Sequence, residues 1–201
     1  MRYGMLIDLR KCVGCGACTV ACRAENGTPA EINFNKLKKF EVGKYPASKM
    51  KWIPMPCMHC KNAPCITVCP NNATVQSDEG IVTVDTKKCM GCRACIISCP
   101  YAARQFVWDI KNYYENQNAT PFEKKKQVNF EKGTVTKCVF CTDRVARGEK
   151  NACVHTCPAS CRIFGDLDDP ESEISRLISQ HRAIPLRGDL GTEPSVFYIE
   201  G

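Results

Sequence analysis

Residues 8–22, DLRKCVGCGACTVAC, return at residues 85–99 as DTKKCMGCRACIISC. The shared pattern is D-x-x-K-C-x-G-C-x-A-C-x-x-x-C, and two looser copies of it complete a fourfold repeat. In one, Cys57, Cys60, Cys65 and Cys69, a single gap widens to four residues; in the other, Cys138, Cys141, Cys153 and Cys157, the same gap opens to eleven. Three of the four units end in Cys-Pro, whereas the first ends in Cys22-Arg23. The repeat uses sixteen of the seventeen cysteines and leaves Cys161 over.

So many cysteines serve as crosslinks, metal ligands or redox groups. A disulfide scaffold would bring an even count, a short chain and a secretory signal, yet the opening MRYGMLIDLRKC has no apolar core of signal-peptide length and no small-residue cleavage site. Zinc usually takes two close pairs of ligands, so three cysteines within seven residues, repeated, suit it poorly. They suit a cubane iron–sulfur cluster, which needs three thiolates from one tight loop with backbone N–H groups free to face its sulfides. Gly14, Gly16 and Gly91 permit the turns. A zinc-organised scaffold is the alternative from a different class.

In bacterial two-cluster ferredoxins the fourth cysteine, just before proline, ligates the other cluster, because a short helix carries it across. Each unit therefore implies a partner unit. Linkers of 34, 19 and 38 residues separate the four in turn, so the inner two have the spacing of a self-contained ferredoxin and the outer two close around them. On this nested reading Cys12, Cys15, Cys18 and Cys157 hold cluster 1, and Cys138, Cys141, Cys153 and Cys22 hold cluster 2. Cys57, Cys60, Cys65 and Cys99 hold cluster 3, and Cys89, Cys92, Cys95 and Cys69 hold cluster 4. Spacing alone leaves sequential pairing open. The expected fold is α+β: an outer ferredoxin-like module, residues 1–48 and 110–201, around an inserted inner module, residues 49–109, with small β hairpins and short helices.

Strand-like pieces flank the loops: YGMLID, KWIPM, GIVTVD, QFVWD, GTVTK and CRIFGD. Asp169-Pro170 opens a helix with Ile174, Leu177 and Ile178 on one face, expected to pack as a brace. NYYENQNATPFEKKKQ, residues 112–127, reads as a surface excursion whose length invites a partner contact. No apolar run is long enough to cross a bilayer.

A formal charge of +7 would ordinarily point to an anionic partner such as nucleic acid. Sixteen thiolates around four oxidised 4Fe-4S cores add about four times −2 and bring the total to roughly −1, so the basic excess balances cofactors instead. Lys124, Lys125 and Lys126 read as a solvated face. The chain has no phosphate-cradling loop, nucleophile elbow or HExxH. Four clusters without an active site amount to an electron relay, with catalysis left to another chain. Lys11, Lys88 and Lys137, each directly before a unit's first cysteine, either raise the potential of the adjacent cluster or are ordinary surface lysines. His59 and His155 lie inside cysteine units and are expected to face solvent or to hydrogen-bond rather than to replace a ligand. Cys161 is expected to be a buried thiol filling a small site.

These motifs resemble a known family: the four-cluster, ferredoxin-like electron-transfer subunits of molybdopterin oxidoreductases, of the dimethyl sulfoxide, polysulfide, thiosulfate and respiratory arsenate reductase type. The likeness covers essentially the whole chain through IDLRKCVGCGAC, PMPCMHCKNAPCITVCP, KKCMGCRACIISCPY, TKCVFCTDR with ACVHTCP, and the tail FGDLDDPESEISRLI with GTEPSVFYI. It implies nested pairing, four 4Fe-4S clusters, and a large catalytic partner with a molybdenum or tungsten bis-pterin cofactor. A membrane anchor or a cytochrome is a further implied partner; nucleic acid is not. It also implies a place in the periplasm or on the outer face of the cytoplasmic membrane, reached with a signal-bearing partner, with the cytoplasm as the alternative. The TPFE segment, the GTV before Cys138 and the GDLDDP tail are most similar to the arsenate, selenate and polysulfide type. The analogous subunit of a formate dehydrogenase or hydrogenase is the neighbouring alternative.

Overall fold

The computed structural model describes residues 1–114 and 117–200. Its architecture is α+β, with short elements bracketing the cysteine loops. The first half runs β1 (Tyr3–Asp8), α1 (Ala17–Asn26), β2 (Lys36–Val42), β3 (Lys49–Met55), α2 (Pro64–Thr67), β4 (Thr74–Gln76), β5 (Val82–Val84), α3 (Ala94–Ile97) and β6 (Gln105–Phe106). The second runs α4 (Pro121–Lys126), β7 (Val135–Thr136), α5 (Thr142–Ala146), α6 (Ala152–His155), β8 (Arg162–Asp166), α7 (Glu173–His181), β9 (Ile184–Pro185) and β10 (Val196–Ile199).

Proline sets the length of the helices that leave the loops. α2, α3 and α6 have four residues each, and Pro70, Pro100 and Pro158 follow the last cysteine of those units. Proline lacks the N–H a helix needs and pushes the preceding residue out of helical backbone. Arg23 stands at that place in the first unit, so α1 runs for ten residues and stops only at Gly27, whose backbone is left-handed.

One sheet of four strands, in the order β8-β1-β10-β9, joins the two ends of the chain: β1 lies parallel to β10 and antiparallel to β8. Alternation along β1 sends Met5 and Ile7 into the core that holds Cys22, Cys57, Cys60, Cys138 and Cys153, and Leu6 to the opposite face. There α7 packs Ile174, Leu177 and Ile178 against Leu6 and Ile199, the expected brace. The helix begins three residues later than Asp169-Pro170 would have it. Ser172 is its cap, accepting the Ser175 N–H at 3.2 Å, while the Asp169 carboxylate accepts the Glu171 N–H at 2.9 Å and holds a turn instead.

All six strand-like pieces contribute strands. β2, β4, β9 and β10 lie outside those pieces; β2 is half-buried at best and depends on pairing with β3. That hairpin has its turn where the 48/49 division falls, and β6 pairs with β7 across the 109/110 division. The second cysteine loop is also tied to the C-terminal tail, through Lys61 N–H to Glu193 O at 2.9 Å and Ser195 N–H to Met58 O at 2.8 Å. Among the helices, α1 packs on α6 and α2 on α3.

The excursion at 112–127, of which Glu115 and Asn116 lie outside the described residues, is anchored on the end of α1. Tyr113 Oη donates to Thr28 O at 2.8 Å, Lys126 Nζ to Glu25 O at 2.8 Å, and a Thr120–Glu123 capping box starts α4. Lys124 and Lys125 are exposed as a solvated face should be; Lys126 turns inward. Among the described residues no helix is long and apolar enough to cross a membrane.

Candidate metal centres

Four small cavities lie beneath the loops. The first is lined by Cys12, Cys15, Cys18 and Cys157. Cys22, Cys138, Cys141 and Cys153 line the second. Cys57, Cys60, Cys65 and Cys99 line the third, and Cys69, Cys89, Cys92 and Cys95 the fourth. In each, three thiols come from one unit and the fourth from another. Local geometry explains the crossing: Cys18 and Cys22 are one turn apart on α1, so they share a face of that helix but line different cavities, the first and the second. The one-turn helices α2, α3 and α6 separate Cys65 from Cys69, Cys95 from Cys99 and Cys153 from Cys157 in the same way.

The tight loops depend on glycine at two places. Gly14 has φ +69° and a Cβ there would run into the Trp52 indole; Gly91 has φ +74° and a Cβ would strike the Gly133 carbonyl. Backbone N–H groups turn toward sulfur, Ala73 to Cys69 at 3.2 Å and Val135 to Cys89 at 3.4 Å. Burial pushes the Cys60 and Cys138 thiols up to about 12 and Cys141 up to about 11, and it pushes Cys22 and Cys153 up as well. For Cys138, burial is opposed by Lys137 and reinforced by Cys57 of the neighbouring cavity. Cys69 goes the other way: against burial, N–H groups of Thr74, Ala73 and Asn71 hold it below the ordinary thiol value.

The donor sets fit a cubane. Among the described residues no group of three or more His, Cys, Asp or Glu converges as ligands of one ion do; tetrahedral zinc, with Zn–S about 2.3 Å, requires such convergence. The thiols instead stand around a shared space. Two buried donors at these cavities have no protein acceptor, Asn35 Nδ2 at the second and Arg162 Nε at the first. Cluster sulfides are acceptors of the kind such donors lack.

The cavities form a row. Arg162 links the first to the second, donating to Cys18 Sγ at 3.4 Å and to Asn35 Oδ1 at 3.0 Å. Lys137 links the second to the third, its ammonium bonded to the Cys138 and Val82 carbonyls, and Arg104 links the third to the fourth through Cys65 Sγ at 3.0 Å and Thr74 Oγ1 at 3.0 Å. Cys15 and Cys92, in the first and fourth cavities, are the exposed thiols; Cys22, Cys138 and Cys153 of the second, Cys57 and Cys60 of the third and Cys95 of the fourth are buried.

Of the three lysines preceding a first cysteine, Lys11 and Lys88 are exposed and Lys137 is buried, its ammonium bonded to the Val82 and Cys138 carbonyls. His155 is exposed. His59 is fully buried; its Nδ1 accepts the Val82 N–H at 3.0 Å and its ring stacks on Phe140 at 3.8 Å. Burial, with Lys137 and Arg104 nearby, keeps it well below the usual imidazole range and so neutral. Arg104, Arg162 and Asn35 carry no sequence signal. Nothing local distinguishes an inward-facing arginine on a strand from an outward one.

Cys161 is buried and lines the first cavity as a fifth thiol, 3.4 Å from Cys157 Sγ. Against the cost of burial, its N–H and S–H hold Cys157 below the ordinary thiol value, while burial pushes Cys161 itself up. The repeat already supplies this cavity with four ligands, and Cys161 stands outside the repeat. Replacing Cys161 with alanine is therefore expected to leave the iron content unchanged in an anoxic iron assay. Loss of about four irons would make it a ligand.

Comparison with known proteins agrees with this chemistry. A family model described as a 4Fe-4S dicluster domain matches residues 48–115 and 107–167, and a second model of the same description matches residues 11–73. The chain is 41% identical to a putative dimethyl sulfoxide reductase iron–sulfur subunit of Halobacterium salinarum, over 99% of this chain and 79% of the relative. It is 40% identical to a selenate reductase subunit of Mesobacillus selenatarsenatis, over 99% and 72%. With the arsenate respiratory reductase iron–sulfur subunit of a Shewanella strain it shares 37% identity over 99% and 96%.

Proposed function

The chain belongs to the family of iron–sulfur electron-transfer subunits built on 4Fe-4S dicluster domains, and from that premise we propose that it relays electrons along four 4Fe-4S clusters seated in the row of cavities. Cluster 1 takes Cys12, Cys15, Cys18 and Cys157; cluster 2 takes Cys138, Cys141, Cys153 and Cys22. Cluster 3 takes Cys57, Cys60, Cys65 and Cys99, and cluster 4 takes Cys89, Cys92, Cys95 and Cys69. The observation that carries this reading is that each of four cavities is lined by three cysteines of one unit and the last cysteine of another. The ligand sets define two nested ferredoxin-like units, an outer one of residues 1–48 and 110–201 and an inner one of residues 49–109, joined by the β2–β3 and β6–β7 pairings.

A 4Fe-4S group, when bound, supplies a site that accepts and releases one electron. The chain's own residues do the rest. The crossed fourth cysteines fix neighbouring sites at short separation. Exposed Cys15 and Cys92 mark the two ends, where electrons enter and leave.

The chain holds no site of substrate chemistry on this reading. Its partner is a large catalytic subunit with a molybdenum or tungsten bis-pterin cofactor, in a respiratory reductase of an oxyanion or sulfur compound; the names of the selenate and arsenate relatives support that class. A quinol-oxidising membrane anchor or a cytochrome stands at the other end. The complex works in the periplasm or on the outer face of the cytoplasmic membrane. Metal and acid-labile sulfide analysis of the anoxically purified chain tests the proposal: about sixteen irons per chain are expected. A colourless protein with zinc in place of iron would overturn it.

A further inference from the structure

Of the 28 lysines and arginines in the chain, Arg104, Lys137 and Arg162 are buried, at 4%, 2% and 3% exposure. Burying a cation without a countercharge is costly. Yet the buried carboxylates among the described residues are engaged elsewhere, Asp8 by Arg10 and Glu123 by backbone and Thr120. The three cations donate instead to thiols, a thioether, carbonyls, an amide and a hydroxyl.

Their positions share one logic. Arg162 lies between the first and second cavities; it donates to Cys18 of the first, and to Met5 Sδ at 3.5 Å and Asn35 Oδ1 at 3.0 Å, which line the second. Lys137 lies between the second and third, bonding the Cys138 carbonyl at 2.6 Å and the carbonyl of Val82, which lines the third. Arg104 lies between the third and fourth, on Cys65 of one and Thr74 of the other. Four sites in a row have three junctions, and each holds one buried, carboxylate-free cation.

We propose that Arg162, Lys137 and Arg104 are fixed positioning charges, one per junction, that raise the reduction potentials of the two clusters each separates. The proposal rests on the four-cluster reading above. Each oxidised cluster with four thiolates carries about −2 and gains a further negative charge on reduction. A cation held between two such sites in a poorly screened interior stabilises the reduced state on either side, and so favours electron residence on both members of a pair. The cations exchange neither protons nor electrons: what one cluster loses the next gains. Lys11 and Lys88, exposed to water and salt, are too screened to do the same.

The test is an anoxic redox titration of the iron-loaded full chain, followed by electron paramagnetic resonance, on Arg162→Gln, Lys137→Gln and Arg104→Gln and on the charge-keeping Arg162→Lys, Lys137→Arg and Arg104→Lys. Each glutamine variant is expected to lower the reduction equilibrium constant of its two flanking clusters at least tenfold, about 59 mV for a one-electron couple. The other two clusters should move far less, and the charge-keeping variants should recover most of the shift. Iron lost from a glutamine variant but retained in its charge-keeping partner equally supports a need for the charge. Iron lost from both, shifts spread evenly over all four clusters, or charge-keeping variants that shift as far as glutamine would overturn the proposal. Failure of the underlying reading shows separately, as an unsubstituted chain that titrates with fewer than four clusters.

Discussion

Replacing Cys22 with serine is expected to strip or degrade the cluster of Cys138, Cys141 and Cys153 while the cluster of Cys12, Cys15 and Cys18, its own unit, survives. Cys22 is 4% exposed and lines the second cavity with those three thiols. Its neighbour Cys18, one turn away on α1, lines the first. A serine hydroxyl is a hard, weakly acidic donor in a place where a soft thiolate is wanted, and iron–sulfur sites select thiolate. Iron should therefore fall from about sixteen toward about twelve per chain, with one resonance signal lost or replaced by that of a three-iron form. The second site is interior to the row, so electron transfer from end to end should fall much further than the iron content does. The reciprocal change, Cys157→Ser, should remove the first cluster and spare the second. A loss after Cys22→Ser confined to the cluster of Cys12, Cys15 and Cys18 would refute crossed ligation.

Removing iron with a chelator under reducing conditions is expected to unfold most of the chain. The principal core is itself made of cysteine: Cys22, Cys57, Cys60, Cys138 and Cys153 are among its buried members, beside Met5, Ile7, Met58, Phe140 and Tyr198. Without clusters those thiols surround space that nothing fills. The helices cannot hold the loops unaided, since α2, α3 and α6 have four residues each and isolated helices below about 12 residues are marginal in water. The hairpins β4–β5 and β6–β7 are two or three residues long, also too short to stand alone. Arg104, Lys137 and Arg162 would be left buried beside protonated thiols instead of anions, a further destabilisation against a total stability of only about 5–15 kcal/mol for a typical domain. Circular dichroism should lose most of its native signal on iron removal, and proteolysis should become rapid. A native-like spectrum from the iron-free chain would count against the coupling of cluster binding to folding.

Much of this site is legible in the residues themselves. The C-x2-C-x2-C and related gaps specify tight loops, glycine marks where the backbone must turn left-handed, and Cys-Pro ends three helices after one turn; all are effects of neighbours in sequence. Strands are readable wherever apolar residues alternate or cluster, as in YGMLID and GIVTVD. They escape notice where pairing rather than pattern makes the strand, as in KLKKFEV of β2, most of whose residues are exposed. Asp169-Pro170 imitates a helix start because an Asx turn and a helix cap share the same residue types. Ser172 prevails because its hydroxyl reaches the N–H three residues on.

Ligand type, the number of loops, and the family of electron-transfer subunits to which they belong are written in the residues alone, because a cluster-binding loop is a local object spelled out within a dozen or so positions. Which thiols stand around one space is a matter of packing, since Cys22 and Cys153 meet across more than a hundred residues through the contact of α1 with α6. Packing also sets the cavities in a row, and among the described lysines and arginines it buries only Arg104, Lys137 and Arg162, one at each junction. Whether a cation is screened by water or buried between two anions depends on everything packed around it, and no stretch of sequence short enough to read contains that.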